Sequence, residues 1–84
     1  KAACSAFIYA LSIGDQFIRT GVCSTILIVG AEVQSKFLNI STEGRDMTVL
    51  FGDGSGAAIL QKSDDESGVL STHLHCQGAN IKDL

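Results

Sequence analysis

The chain has 84 residues and a net charge of −3, with 45% hydrophobic and 18% charged residues. It therefore lacks the basic surface of a nucleic-acid-binding protein, and its high apolar content predicts that its core is completed from outside the chain. The longest apolar run, residues 26–31, is far shorter than the ~20 residues of a membrane span. Three irregularly spaced cysteines favour reduced thiols, and without a recognisable leader we expect a soluble cytoplasmic protein.

The first predicted element is a helix over residues 5–20. Apolar side chains such as Phe7 and Ile18 recur at helical spacing, and Gly21 stands where a left-handed C-terminal residue belongs. We expect this helix to be buried on most sides. Gly14 in its interior costs about 1 kcal/mol relative to alanine, so it predicts a close crossing with another helix.

Cys4 stands at the start of this helix, within a stretch free of charged side chains. The first turn presents unpaired backbone N–H groups and the positive end of the helix dipole, which stabilise a thiolate. Cys4 is therefore a candidate nucleophile and acyl acceptor. The competing interpretation is that it is a small buried apolar side chain, which is our interpretation of Cys23 and Cys76.

Residues 25–30 form a β-branched run typical of a strand covered on both faces, predicted to be parallel to a strand before Cys4. Residues 33–47 are mixed and polar, and we expect a short helix and an exposed loop that is a candidate for facing substrate. Two further strands are predicted at 48–51 and 57–61 around a glycine-rich turn. Residues 68–75 alternate as a strand at the margin of a sheet does.

Two patterns suggest ligand sites but are better explained structurally. The glycines of residues 52–56 do not match G-x-G-x-x-G, and no helix pattern follows them, so we interpret them as a tight turn. His73 and His75 lie in the last predicted strand and Cys76 directly follows it, but no second ligand pair accompanies them. We therefore predict no metal site.

Five segments, in order and over nearly the whole chain, resemble β-ketoacyl-acyl carrier protein synthase III. They are AACSAF at 2–7, ALS and DQFIRTG within 10–21, VGAE at 29–32, VLFGDGSGAA at 49–58 and STHLH at 71–75. The resemblance implies an α/β protein with the thiolase-like αβαβα layered fold, of which residues 1–84 are part of the first half without an internal boundary. It also implies a homodimer formed through the strand before Cys4.

The resemblance implies an acyltransferase of fatty acid initiation, in which Cys4 is acylated by acetyl-CoA and then condensed with malonyl-acyl carrier protein. Coenzyme A thioester is then a substrate, and no cofactor is expected. Arg45 corresponds to an arginine beside the adenine end of coenzyme A, although it is otherwise a solvated loop charge. Leu50 and Phe51 line the acyl pocket or fill the core.

The chain departs from the family pattern in two ways. Ala6 replaces a usual glycine, and the family's catalytic histidine and asparagine belong to its second half and have no counterpart here. We therefore expect the isolated chain to be inactive, and we do not assign catalysis to His73 or His75. The alternatives are a related condensing enzyme with a different acyl primer, or a non-catalytic dimerisation piece.

Overall fold

The computed structural model describes residues 2–83, so the first and last residues of the predicted 1–84 unit lie outside the description. The main elements are helix α1, strand β1, the single-turn helix α2 and strand β2, joined by loops and flanked by two 3₁₀ segments. Their bounds are α1 Ala6–Arg19, β1 Thr25–Glu32, α2 Arg45–Thr48 and β2 Gly54–Gln61, with 3₁₀ segments at Ala3–Ser5 and Gly78–Asp83.

Helix α1 confirms the prediction for this part of the chain. Its C-terminal end is closed by Thr20, whose hydroxyl donates a 2.6 Å hydrogen bond to the carbonyl of Gln16. Gly21 follows with a φ of 76°, a left-handed conformation that glycine adopts without a Cβ penalty. The predicted left-handed glycine is therefore confirmed, and the chain turns directly into β1.

Strands β1 and β2 form an antiparallel ladder that runs from the pair Thr25 and Gln61 to the pair Glu32 and Gly54. The strand predicted at 25–30 is confirmed and extends two residues further. Its parallel neighbour would precede this chain, so that pairing stays a prediction. Helix and sheet together bear out the α/β class.

Gly14 lies where α1 crosses the sheet, and the predicted crossing with another helix is wrong for residues 2–83. A Cβ built on Gly14 would lie 3.2 Å from Leu60 and 3.3 Å from Ile28, both of which are sheet side chains. Ile28 is only 5% exposed and forms the centre of this small core. Glycine at position 14 therefore allows helix and sheet to approach closely.

The other face of the sheet is uncovered in the described part of the chain. Leu27, Val29 and Ile59 point there and are more than half exposed. Helix α1 likewise leaves Ile13 and Phe17 exposed, so its burial is confined to one stripe. The predicted burial of strand and helix on most sides is therefore not found within residues 2–83.

Residues 48–51 are not the predicted strand. The Thr48 hydroxyl donates to the carbonyls of Asn39 at 2.7 Å and Gly44 at 3.0 Å, and these bonds close the helical turn α2. The backbone N–H of Leu50 then bonds to the carbonyl of Met47 at 3.0 Å. Local hydrogen bonds at this site outweigh the β-propensity of the run.

Residues 68–75 contain no strand either, so the predicted marginal strand is wrong. This segment lies against α1 instead. Ser12 and Thr72 share a hydrogen bond of 3.1 Å, and Arg19 Nη2 donates to the carbonyl of Val69 at 2.8 Å. Within the part of the chain that the structure describes, no helix has the length and apolar character to span a bilayer.

Candidate functional site

Cys4 lies in the 3₁₀ turn that leads into α1, and its side chain is exposed. The preceding residue, Ala3, has a φ of 42°. A positive φ is uncommon for a residue with a Cβ and marks a sharp change of chain direction. No feature of the sequence predicts this conformation, since alanine has no special preference for it.

The start of α1 beside Cys4 carries no side-chain cap. Ser5 occupies the N-cap position without a capping hydrogen bond, and the first turn contains no acidic residue. Neither Ser5 nor the first turn therefore adds negative charge at this helix end, whereas Glu32 and Asp53 line the same depression as Cys4. The backbone N–H groups of Ser5 and Ala6 already bond to the carbonyls of Ala2 and Ala3.

Cys4 opens onto a depression of about 530 Å³. Three parts of the fold form it: the start of α1, the end of β1 and the glycine-rich segment that leads into β2. The lining residues are Ala3, Cys4, Ala6, Phe7, Gly30, Ala31, Glu32, Gly52, Asp53, Gly54, Ser55 and Gly56. Residues 52–56, which we call the glycine wall, therefore line the same depression as the thiol, and residues 54–56 are the first residues of β2 rather than part of the predicted turn.

Phe7 packs the start of α1 against β1. Its ring covers Gly30 so closely that a Cβ there would lie 3.2 Å from the ring atom Cδ2. Because both residues line the depression, this contact fixes the distance between the turn that holds Cys4 and the strand opposite. The sequence prediction included Phe7 in the helix but gave no role to Gly30.

Asp53 ties the glycine wall to the loop that follows β1. One carboxylate oxygen accepts the backbone N–H of Ser35 at 2.7 Å, and the other accepts the Ser35 hydroxyl at 2.6 Å. These bonds, the side-chain one first, hold the pKa of Asp53 below its ordinary value. The two residues are 18 positions apart, so no local pattern indicates the pair.

The predicted substrate-binding residues are not brought to Cys4. Arg45 begins α2 and is exposed, Leu50 is largely exposed, and Phe51 is half-buried. The lining of the Cys4 depression includes none of these three side chains. Their roles in binding coenzyme A and the acyl chain stay predictions.

The loop before Arg45 is tightly closed. A Cβ on Gly44 would overlap the carbonyl oxygen of Asn39, so glycine is required there by contact rather than by dihedral angle. Thr48 bonds to the same carbonyl. The position of Arg45 is thus set by the closure between Asn39 and Thr48.

A second depression, of about 550 Å³, lies at the other end of α1 and includes Arg19, Lys62 and Asp65. His73 lies elsewhere, within hydrogen-bond distance of Ser71 at 3.1 Å. No cluster of three metal-ligating side chains occurs among the described residues.

Comparison with known proteins gives a consistent result. Residues 1–78 match the family described as 3-Oxoacyl-[acyl-carrier-protein (ACP)] synthase III. Proteins named beta-ketoacyl-[acyl-carrier-protein] synthase III are 53% identical over 94% of this chain in Xanthomonas euvesicatoria pv. vesicatoria and 49% identical over 99% in Pasteurella multocida. A protein of the same name from Haemophilus ducreyi is 57% identical over 88%. The chain spans only 22–25% of the length of these curated relatives.

Proposed function

Because the chain belongs to the 3-oxoacyl-[acyl-carrier-protein] synthase III family, we propose that it is the nucleophile-bearing part of an acyltransferase that initiates fatty acid synthesis. The observation that carries this proposal is the exposed Cys4 thiol, set at an uncapped helix start and open to a depression. Thiolates so placed are activated for attack on a thioester carbonyl.

The first step is transfer of the acetyl group from acetyl-CoA to Cys4. The thiolate attacks the thioester carbonyl and forms a new C–S bond, and the carbonyl oxygen gains negative charge. The backbone N–H of Cys4 is the donor nearest to this oxyanion along the chain, since those of Ser5 and Ala6 already bond to the carbonyls of Ala2 and Ala3. The intermediate collapses when the bond to the coenzyme A sulfur breaks, which releases the coenzyme A thiolate and leaves an acetyl-cysteine.

The second step is condensation with malonyl-acyl carrier protein. Loss of CO₂ from the malonyl group leaves a carbanion, which attacks the acetyl carbonyl on Cys4 and expels the Cys4 thiolate. This chain supplies the acylated thiol, whereas decarboxylation requires a histidine and an asparagine that we expect in the remainder of the protein. The 84 residues alone are therefore expected to be inactive in condensation.

The proposal includes the larger setting that the family implies. The full-length protein has the thiolase-like αβαβα fold and is a cytoplasmic homodimer. It needs no cofactor, since the coenzyme A thioester is a substrate. Arg45 contacts the adenine end of coenzyme A, and Leu50 and Phe51 line the acyl pocket. The exposure of Arg45 and Leu50 leaves both side chains free to contact substrate or the rest of the protein.

The nucleophile is tested by Cys4→Ala in the full-length protein, with Cys76→Ala as the matched control because Cys76 is also an exposed thiol. Intact mass after incubation with acetyl-CoA is expected to show one acetyl group on the wild type and on Cys76→Ala, and none on Cys4→Ala. Acetylation that persists in Cys4→Ala refutes the assignment. Loading from a longer acyl-CoA but not from acetyl-CoA favours the alternative primer.

A further inference from the structure

The glycine wall has little side-chain packing to hold it. A Cβ on Gly52, Gly54 or Gly56 would have no neighbouring heavy atom within 4 Å. The position of the wall therefore depends mainly on its backbone hydrogen bonds and on the bonds of its two non-glycine residues, Asp53 and Ser55. Residues 54–56 of the wall already pair with Glu32, Ala31 and Gly30 in the ladder, so only Gly52 and Asp53 lie beyond its last pair.

Asp53 supplies an anchor one residue beyond that last pair. Its two carboxylate oxygens each accept a different donor of Ser35, the backbone N–H at 2.7 Å and the hydroxyl at 2.6 Å. Two bonds to one residue fix both distance and orientation, which a single bond does not. They continue the connection between the two strands past the end of the ladder, on the rim of the depression that contains Cys4.

We propose that Asp53 is a positioning residue for acyl transfer at Cys4, because its paired bonds to Ser35 hold Gly52 and Asp53, the part of the glycine wall beyond the ladder, in the position that orients the thioester against the thiol. The inference rests on the proposed function and adds to it a residue outside the predicted catalytic and binding set. Asp53 acts through the wall and takes no part in bond making or breaking.

Asp65 offers a matched control within the same chain. It also accepts hydrogen bonds from serine side chains, Ser67 and Ser63, and these bonds hold its pKa below the ordinary value, as at Asp53. Asp65 lines the second depression and not the one at Cys4. The two aspartates both accept hydrogen bonds from serine, but only Asp53 lines the depression that contains Cys4.

The test measures single-turnover acetylation of Cys4 in the full-length protein over a range of acetyl-CoA concentrations. Asp53→Ala is expected to lower the rate constant at saturation about tenfold, since small misplacements of reacting groups cost this much or more. The half-saturating concentration is expected to change by less than about twofold, because binding energy is not lost. Asp65→Ala is expected to load at the wild-type rate.

Asp53→Asn provides the rescue. The asparagine oxygen accepts the Ser35 N–H and its amide donates to the Ser35 hydroxyl, so the geometry survives without the charge. Loading is expected to return to within about threefold of wild type, the value of one ordinary hydrogen bond. Ser35→Ala keeps the backbone bond and is expected to lose about threefold. This variant decides the matter if Asp53→Ala does not fold, as judged by its melting temperature.

The outcomes separate the two proposals. A wild-type protein that takes no acyl group at Cys4 refutes the proposed function, and the role of Asp53 fails with it. A wild type that loads normally, with Asp53→Ala and Ser35→Ala both as fast as Asp65→Ala, overturns the positioning role alone. Slower loading by folded Asp53→Ala that is restored in Asp53→Asn supports it, and so does slower loading by folded Ser35→Ala.

Discussion

The two ends of helix α1 are held in opposite ways. At the C-terminal end, Arg19 Nε donates to both carboxylate oxygens of Asp15 at 2.8–2.9 Å, and the Thr20 hydroxyl bonds to the carbonyl of Gln16. Arg19 also reaches the Val69 carbonyl. At the N-terminal end, Ser5 makes no capping bond and no acidic side chain lies in the first turn.

The contrast shows where the fold uses its capping interactions. Each side-chain bond at the C-terminal end satisfies a carbonyl or pairs a charge, which stabilises the helix where no chemistry is proposed. The N-terminal end has no side-chain cap, and its partial positive charge lies beside Cys4. The stabilising side-chain bonds thus lie at one end of α1, and the proposed nucleophile lies at the other.

The largest expected effect comes from disrupting the packing of α1 on the sheet, which supports both ends of the helix. Gly14→Leu places a side chain into the 3.2–3.3 Å approach of α1 to Leu60 and Ile28. We expect the free energy of unfolding to fall by about 1–3 kcal/mol, and acetylation of Cys4 to fall too, because the whole helix is displaced. Chemical denaturation of the full-length protein measures the first effect.

The control for this change is Ile13→Leu, which puts leucine at the neighbouring position, where the side chain is 54% exposed. Its effect on stability is expected to stay within about 0.5 kcal/mol. Equal stability of the two variants contradicts the close packing of α1 on the sheet.

A smaller effect is expected from loosening the C-terminal end alone. Arg19→Ala removes the ion pair with Asp15 and the bond to the Val69 carbonyl. Because the Arg19 side chain is 55% exposed, we expect a loss of only about 0.5–1 kcal/mol in the free energy of unfolding. Acetylation of Cys4 in the full-length protein is expected to be unchanged. A fall in acetylation comparable to that of Asp53→Ala shows that the two ends are not independent.

The smallest expected change is an increase in stability, and it comes from placing a carboxylate at the N-terminal end of α1. Ser5→Asp adds a carboxylate beside Cys4, which interacts favourably with the helix dipole and raises the free energy of unfolding by about 0.3–1 kcal/mol. The same charge disfavours the neighbouring thiolate, so iodoacetamide is expected to alkylate Cys4 more slowly at neutral pH. Ser5→Asn, which adds no charge, serves as the control. Alkylation as fast in Ser5→Asp as in Ser5→Asn contradicts the electrostatic role of this end.

The sequence predicted the elements whose own residues determine them. Helix α1 and strand β1 follow from apolar periodicity and a β-branched run, and Gly21 follows from its position after the helix. The strand predicted at 48–51 failed because bonds from Thr48 to Asn39 and Gly44 close a helical turn there. The strand predicted at 68–75 failed because Ser12 and Arg19 bind that segment to α1.

In the candidate site, too, only the features that are local in sequence were predicted. Cys4 at a helix start was predicted, since residue type and position are both local features. The contact of Phe7 with Gly30 and the pair formed by Asp53 and Ser35 were not, because each joins segments far apart in the chain. The pairing of β1 with β2 was not predicted either, for the same reason.

Ala3, with its φ of 42°, limits which residues evolution can place next to the nucleophile. A left-handed backbone costs an L-residue about 1 kcal/mol or more, and a β-branched side chain pays most. Glycine would remove that cost but would also let the turn sample many more conformations. Alanine at position 3 therefore gives up some folding stability, but it restricts the turn before Cys4 more than glycine would.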